Sequence, residues 1–207
     1  MGKPFLTDEA KKALTEAVRE VEACTSAELV IAVRARSGSY LHADLIAGIL
    51  TGLAALAFLL FSAREFGLLA FIVDTAVAGI LGGLTASRFP GLRRLLTRPA
   101  VRRRLAEIMA RDLFVEKRVH GTAGRTGFLL YVSVLEREAV VVTDIGLETL
   151  AATELWRKTI AEIESGVRQG EDGIRTAARI RSFASVCGPA LPRMADDVDE
   201  LSNEVHG

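Results

Sequence analysis

The sequence predicts an α/β fold that is interrupted after its first strand by a two-helix transmembrane hairpin. Three observations carry this prediction. Residues 45–62 and 66–87 are two apolar runs, the first without a charge and the second with Asp74 alone, separated only by Ala63, Arg64 and Glu65. A bilayer core of roughly 30 Å needs about 20 helical residues at 1.5 Å each, so each run is long enough to span it. On either side of them, short β-branched runs alternate with amphipathic helical stretches, as in an α/β domain. With the hairpin set aside, roughly 160 of the 207 residues remain, enough for one buried core.

Residues 1–40 supply the first helix and strand. Thr7 or Asp8 caps a helix that runs to about Ala23, with Asp8 and Glu9 in the first turn, where the helix dipole favours acids. Ala10, Leu14, Val18 and Val21 recur on one face, which makes it a cover helix. Thr25 and Ser26 end it. Residues 28–36 (ELVIAVRAR) then read as a strand whose start is nearly continuously apolar, the pattern of a central strand covered on both faces. Residues 37–40 form a turn.

The hairpin occupies 41–88. A domain of this size has no interior able to hide two helices that are apolar all round. The three-residue connector forces them antiparallel, with both ends on one side. Gly48 and Gly52 stand four apart, as do Gly79 and Gly83, a spacing that lets helices approach closely in lipid. The expectation is packing within the hairpin first and self-association second. Asp74 is the one ionisable residue at membrane depth. It is read as a neutral carboxyl bonded to a carbonyl or to its twin in an oligomer, with a proton- or ion-linked site as the other reading.

Charge decides orientation. The chain balances 26 basic against 26 acidic residues, so net charge names no partner. Between positions 88 and 104, however, stand Arg88, Arg93, Arg94, Arg98, Arg102, Arg103 and Arg104 with no acid. Together with Arg34 and Arg36 they outweigh Arg64, which Glu65 offsets. Positive flanks stay cytoplasmic, so both termini are expected in the cytosol beneath a two-pass inner (cytoplasmic) membrane segment. The arginines are read as lipid-facing. Nucleic acid is set aside, because no aromatic side chains interleave them as a stacking platform. The N-terminal stretch is charged and amphipathic, unlike a secretory signal peptide.

Residues 89–207 complete the fold. Pro99 opens a helix to about Phe114, with Val101, Leu105, Ile108 and Met109 on one face. A loop, 120–126 (HGTAGRT), precedes a strand at 127–135 and another at 139–143, joined by Glu136, Arg137 and Glu138 as a β-hairpin. Asp144, Ile145 and Gly146 turn the chain out. Helices follow at 154–167, with Trp156, Ile160 and Ile163, and at 172–187, with Ile174, Ala178 and Ile180. Pro189 and Pro192 close the second. An acidic, extended tail runs from 195 to 205.

Chemistry is sparse. Cys24 and Cys187 fit neither a zinc spacing nor a disulfide framework and are expected as buried thiols. His42, His120 and His206 are scattered, which argues against an imidazole site. No phosphate-binding loop or nucleophile elbow occurs. The candidates are carboxylates at strand ends, Glu28 and Asp144, with Asp196, Asp197, Asp199 and Glu200 in the tail. Strand ends are where ligands bind in α/β sheets, and oxygen ligands in loops suit a hard cation, Ca²⁺ or Mg²⁺. The other reading is that these are solvated acids with no ligand.

Several pieces, in order, carry a resemblance. Thr25-Ser26-Ala27-Glu28-Leu29 precedes the first strand, and residues 125–133 (RTGFLLYVS) form the second. Leu135-Glu136-Arg137 and Thr143-Asp144-Ile145-Gly146-Leu147 follow. This series resembles the TPM domain family, which groups a thylakoid lumen protein, a photosystem II repair protein and a nematode receptor-modulating protein. Trp156 and the closing 196–205 (DDVDELSNEV) are similar to its bacterial membrane-bound members. The resemblance implies an α/β/α sandwich with a small mixed sheet. It also implies Ca²⁺ binding or weak acid phosphatase activity for some members, and maintenance of complexes or receptor assembly for others. Ile145 stands where the family's Asp-x-Gly turn usually has a polar residue. The functional expectation is a membrane-anchored, cytosol-facing domain that binds or maintains a membrane protein complex, with a cation assisting. A weak metal-dependent phosphatase and a purely structural oligomeric anchor are the alternatives.

Overall fold

The structure is a computed structural model that describes residues 5–194, 200, 201 and 205. The chain divides into two units, Met1–Ser37 with Arg103–Gly207, and Gly38–Arg102.

The first unit is built on a three-stranded mixed sheet in the order β1 (Glu28–Arg34), β2 (Gly127–Ser133), β3 (Glu138–Thr143). β1 pairs parallel with β2, from Glu28 opposite Gly127 to Arg34 opposite Ser133, and β3 returns antiparallel to β2. The central strand is therefore β2, whereas the sequence pattern pointed to β1. β1 is nonetheless buried from Glu28 to Val33. Its continuous apolar run reports cover on both faces, which an edge strand also has when helices lie above and below it.

Alternation along the strands sorts the core into two layers. Leu29, Ile31 and Val33 of β1 and Phe128, Leu130 and Val132 of β2 pack with α1 (Asp8–Glu22), α7 (Glu154–Gln169), α8 (Gly173–Ile180) and α9 (Ser182–Cys187). Phe128, Trp156 and Phe183 form an aromatic triangle there, with centroids 5.1 to 5.4 Å apart. On the other face Val30, Ala32, Leu129, Tyr131 and Val140 meet Ala106, Ala110, Leu113 and Phe114 of α5 (Pro99–Glu116). Thr7 caps α1 by accepting from the Ala10 amide, and Thr153 caps α7 by accepting from that of Trp156.

Two helical expectations change. The packing face of α5 is a stripe of alanines with Leu113, while Val101 and Ile108 are 43% and 47% exposed. Small side chains bring the helix close to the sheet, so bulk did not mark the buried face. The helix expected over 172–187 is two helices, α8 and α9, with Arg181 between them.

The second unit holds α2 (Leu41–Phe61), α3 (Leu68–Arg88) and α4 (Pro90–Leu96). α2 and α3 pair antiparallel along their glycines. A Cβ on Gly48 would lie 2.7 Å from the Gly79 carbonyl oxygen, and one on Gly83 would lie 3.2 Å from that of Asp44. The backbones thus approach to a distance that only glycine allows at Gly48. Both helices are long and apolar enough to cross a membrane. Only 17% of the apolar window of α2 and none of that of α3 is buried. The four-residue α6 (Glu148–Ala151) completes the α-helices among the described residues.

Candidate functional site

One end of the sheet gathers the motif residues that are dispersed in the sequence. Glu28 opens β1 opposite Gly127, and the Asp144 amide donates to the Gly127 carbonyl at 2.9 Å just beyond β3. The two acids therefore flank Gly127 across two strand spacings, roughly 10 Å at about 4.8 Å each. The Thr126 hydroxyl donates to the Ser26 carbonyl at 3.1 Å, and the Glu28 amide donates to the Thr126 carbonyl at 3.3 Å.

Asp144 is 5% exposed and is held by Arg125. Nε donates to Oδ2 at 2.7 Å and Nη2 to Oδ1 at 2.9 Å, while the Ile145 amide donates to Oδ1 at 2.8 Å. Burial pushes this carboxyl up, and the Arg125 and Ile145 hydrogen bonds outweigh it, so its pKa lies below the ordinary value. Arg125 reaches this position from a left-handed backbone with φ 54°, a conformation that costs a non-glycine residue on the order of 1 kcal/mol. The Gly146 amide donates to the Arg125 carbonyl at 2.9 Å, and a Cβ on Gly146 would lie 2.6 Å from that oxygen. Glycine at 146 is what lets the turn close on the loop.

Glu28 is 6% exposed, and its Oε1 accepts from the Glu200 amide at 3.2 Å. The Glu200 carboxylate in turn accepts from the Ala123 amide, at 3.1 Å and 2.9 Å. Leu201 and Val205 pack against the two core layers. The tail is thus docked at the residues described. Asp196, Asp197 and Asp199 lie outside them. Among the described residues no group of three or more His, Cys, Asp and Glu could hold a metal ion. Both oxygens of Asp144 are taken by Arg125, so a cation there would have to displace the guanidinium.

Sequence reasoning missed three partnerships. Arg125 was one residue of a loop motif, and only the β2–β3 register brings it to Asp144. At the opposite end of the sheet, Glu136 Oε1 accepts from the Ser37 amide at 2.8 Å and Oε2 accepts from the Ser133 hydroxyl. The Ser37 hydroxyl is 2.8 Å from that of Tyr131 and donates to that of Ser133 at 2.7 Å. All four side chains are buried. Third, the buried Glu22 carboxylate accepts from the Leu29 amide at 3.2 Å.

The seven arginines separate. Arg88, Arg98 and Arg104 are exposed, and Arg94 and Arg102 are half-buried. Arg93 pairs with Asp44, Nε to Oδ1 at 2.9 Å and Nη2 to Oδ2 at 2.6 Å. Arg103 donates to Glu107, Glu164 and the Ala139 carbonyl. Asp74 lies exposed on α3. A groove of about 660 Å³ runs along the hairpin, lined by Gly48, Gly52, Gly79 and Gly83 among apolar side chains. Cys24 is exposed rather than buried, because it follows the end of α1. Cys187 is buried, which pushes its thiol up to about 12.

Comparison with protein-family models and with curated proteins finds no match. Among solved structures, the fold is similar to the NMR structure of the BA42 protein from the psychrophilic bacterium Bizionia argentinensis. The TM-score is 0.59 at 18% identity, over 100% of this chain and 97% of that one. At that identity the likeness concerns the fold alone.

Proposed function

We propose that this chain is a membrane-anchored, TPM-like α/β/α domain, held on the cytosolic face by α2 and α3, that acts by binding a membrane protein complex. The observation that carries the reading is the outer surface of the hairpin. Leu45, Ile49 and Leu53 of α2 are 56–61% exposed, as are Ile72, Ile80 and Leu84 of α3 at 59–64%. A water-facing surface of that composition has no stabilising counterpart, whereas lipid supplies one. The arginine-rich flank supports a cytosolic placement of the domain.

The domain's contact surface is assigned to the sheet end that holds Arg125 and Asp144. Ile145 projects there, 62% exposed, beside a 54% exposed guanidinium. Arginine is enriched at protein–protein interfaces, and the exposed Ile145 beside it supports the assignment. A photocrosslinking side chain at Ile145 tests it in cells. Capture of an integral membrane protein, reduced by Arg125→Ala, is the expected result. The absence of any protein adduct, with the chain still in the membrane fraction, overturns it. The phosphatase reading draws no support from the described residues, which present no metal-holding cluster.

A further inference from the structure

We infer that α4 and its flanks form a lipid-interface element that lies in the headgroup layer and takes anionic phospholipid. The inference rests on the membrane reading above and adds a partner to it. α3 ends at Arg88, where Phe89 adopts an extended backbone and Pro90 opens a new helix. Pro90 brings no amide to continue the α3 ladder, so the chain changes direction where the spanning helix stops.

The rotation of α4 about its axis is fixed by chemistry. The two hydrogen bonds from Arg93 to Asp44, at 2.9 Å and 2.6 Å, tie one flank of α4 to the first turn of α2. Leu92 and Leu96 share that side and meet Ala47, Leu50 and Leu81 around a hollow at the hairpin surface. Leu95 is therefore left pointing away from the hairpin, 80% exposed, and Phe89 is 58% exposed. Both sit at the end of a membrane-length helix, the depth at which a short amphipathic helix rests with its apolar side in the acyl boundary.

The charge around this apolar pair is of one sign. Arg88 and Arg98 are exposed on either side of α4, and no acid occurs between positions 88 and 104. Asp44, in the first turn of α2, is paired with Arg93. Guanidinium groups beside exposed apolar side chains match the phosphate oxygens and acyl chains of an anionic lipid.

The test uses the full chain with Cys24→Ser, reconstituted in phosphatidylcholine vesicles with or without phosphatidylglycerol. Spin labels at Leu95→Cys and, as a control inside α3, at Ile80→Cys are read by collision with oxygen and with a water-soluble nickel chelate. The Ile80 label should be shielded from the chelate, and the Leu95 label should report headgroup depth. Phosphatidylglycerol retained on purification should fall at least twofold in the Arg88→Glu, Arg98→Glu double variant. A Leu95 label open to the chelate while the Ile80 label is shielded overturns this inference alone. Unchanged lipid retention in the double variant overturns its anionic part. Both labels open to the chelate overturn the membrane reading itself.

Discussion

Arg125 and Asp144 stand nineteen positions apart in sequence and share two hydrogen bonds, at 2.7 Å and 2.9 Å, that clamp the loop before β2 to the turn after β3. The carboxylate is buried and the guanidinium half-exposed. Asp144 is thus a fastener of the sheet end.

Asp144→Asn should lower stability at neutral pH by about 1–3 kcal/mol, the scale of leaving charge-assisted hydrogen bonds unmade. The loss should be equal in EDTA and in millimolar Ca²⁺, read by thermal unfolding. A loss seen only with Ca²⁺ present would make Asp144 a cation ligand instead.

The same pair sets an acid dependence. Asp144 has a folded pKa below its ordinary value of 3.8, so its contribution is complete above that value and fades as pH falls through the depressed one. Denaturant titrations should show a gap between the chain and Asp144→Asn that is constant well above pH 3.8 and narrows only as pH falls below that value.

Gly48→Val should disrupt the hairpin, since its Cβ would meet the Gly79 carbonyl oxygen at 2.7 Å. Overpacking of this kind costs about 1–3 kcal/mol. Gly67→Ala, where nothing lies within 4 Å of the added carbon, should leave the melting temperature in detergent unchanged.

Glu136→Ala should strip acceptors from the Ser37 amide and the Ser133 hydroxyl inside the fold. Each buried group left unmade costs about 1–3 kcal/mol. Hydrogen exchange at the Ser37 amide should accelerate more than at Val30, which lies within the β1–β2 ladder.

How far the sequence was legible follows from the range of each signal. The strands and the spanning-length helices were readable because their composition is local: Val and Ile runs for β1 and β3, a Phe-Leu-Leu-Tyr-Val run for β2, and long apolar stretches with almost no charge for α2 and α3. The Arg125–Asp144 pair was hidden because it depends on the register that sets Phe128 opposite Thr143. The order of the sheet was misread because Val30 and Ile31 are buried in an edge strand as deeply as in a central one. Of the face expected for α5, Met109 packs against the core while Val101 and Ile108 are exposed, because Ala106, Ala110 and Leu113 form the buried stripe. α4 was absorbed into an arginine flank, since seven residues hold too few turns to display a period.

The exposed Cys24 and buried Cys187 supply built-in probes for the central claim, that α2 and α3 cross a membrane with the domain in the cytosol. With its thiol pushed up to about 12, Cys187 should stay unlabelled in the folded chain. The measurement is labelling of an Arg64→Cys variant with a membrane-impermeant maleimide in intact spheroplasts. Label is expected at position 64 before lysis and at Cys24 only afterwards. Label at Cys24 before lysis with none at position 64, or recovery of the chain in the soluble fraction, would contradict it.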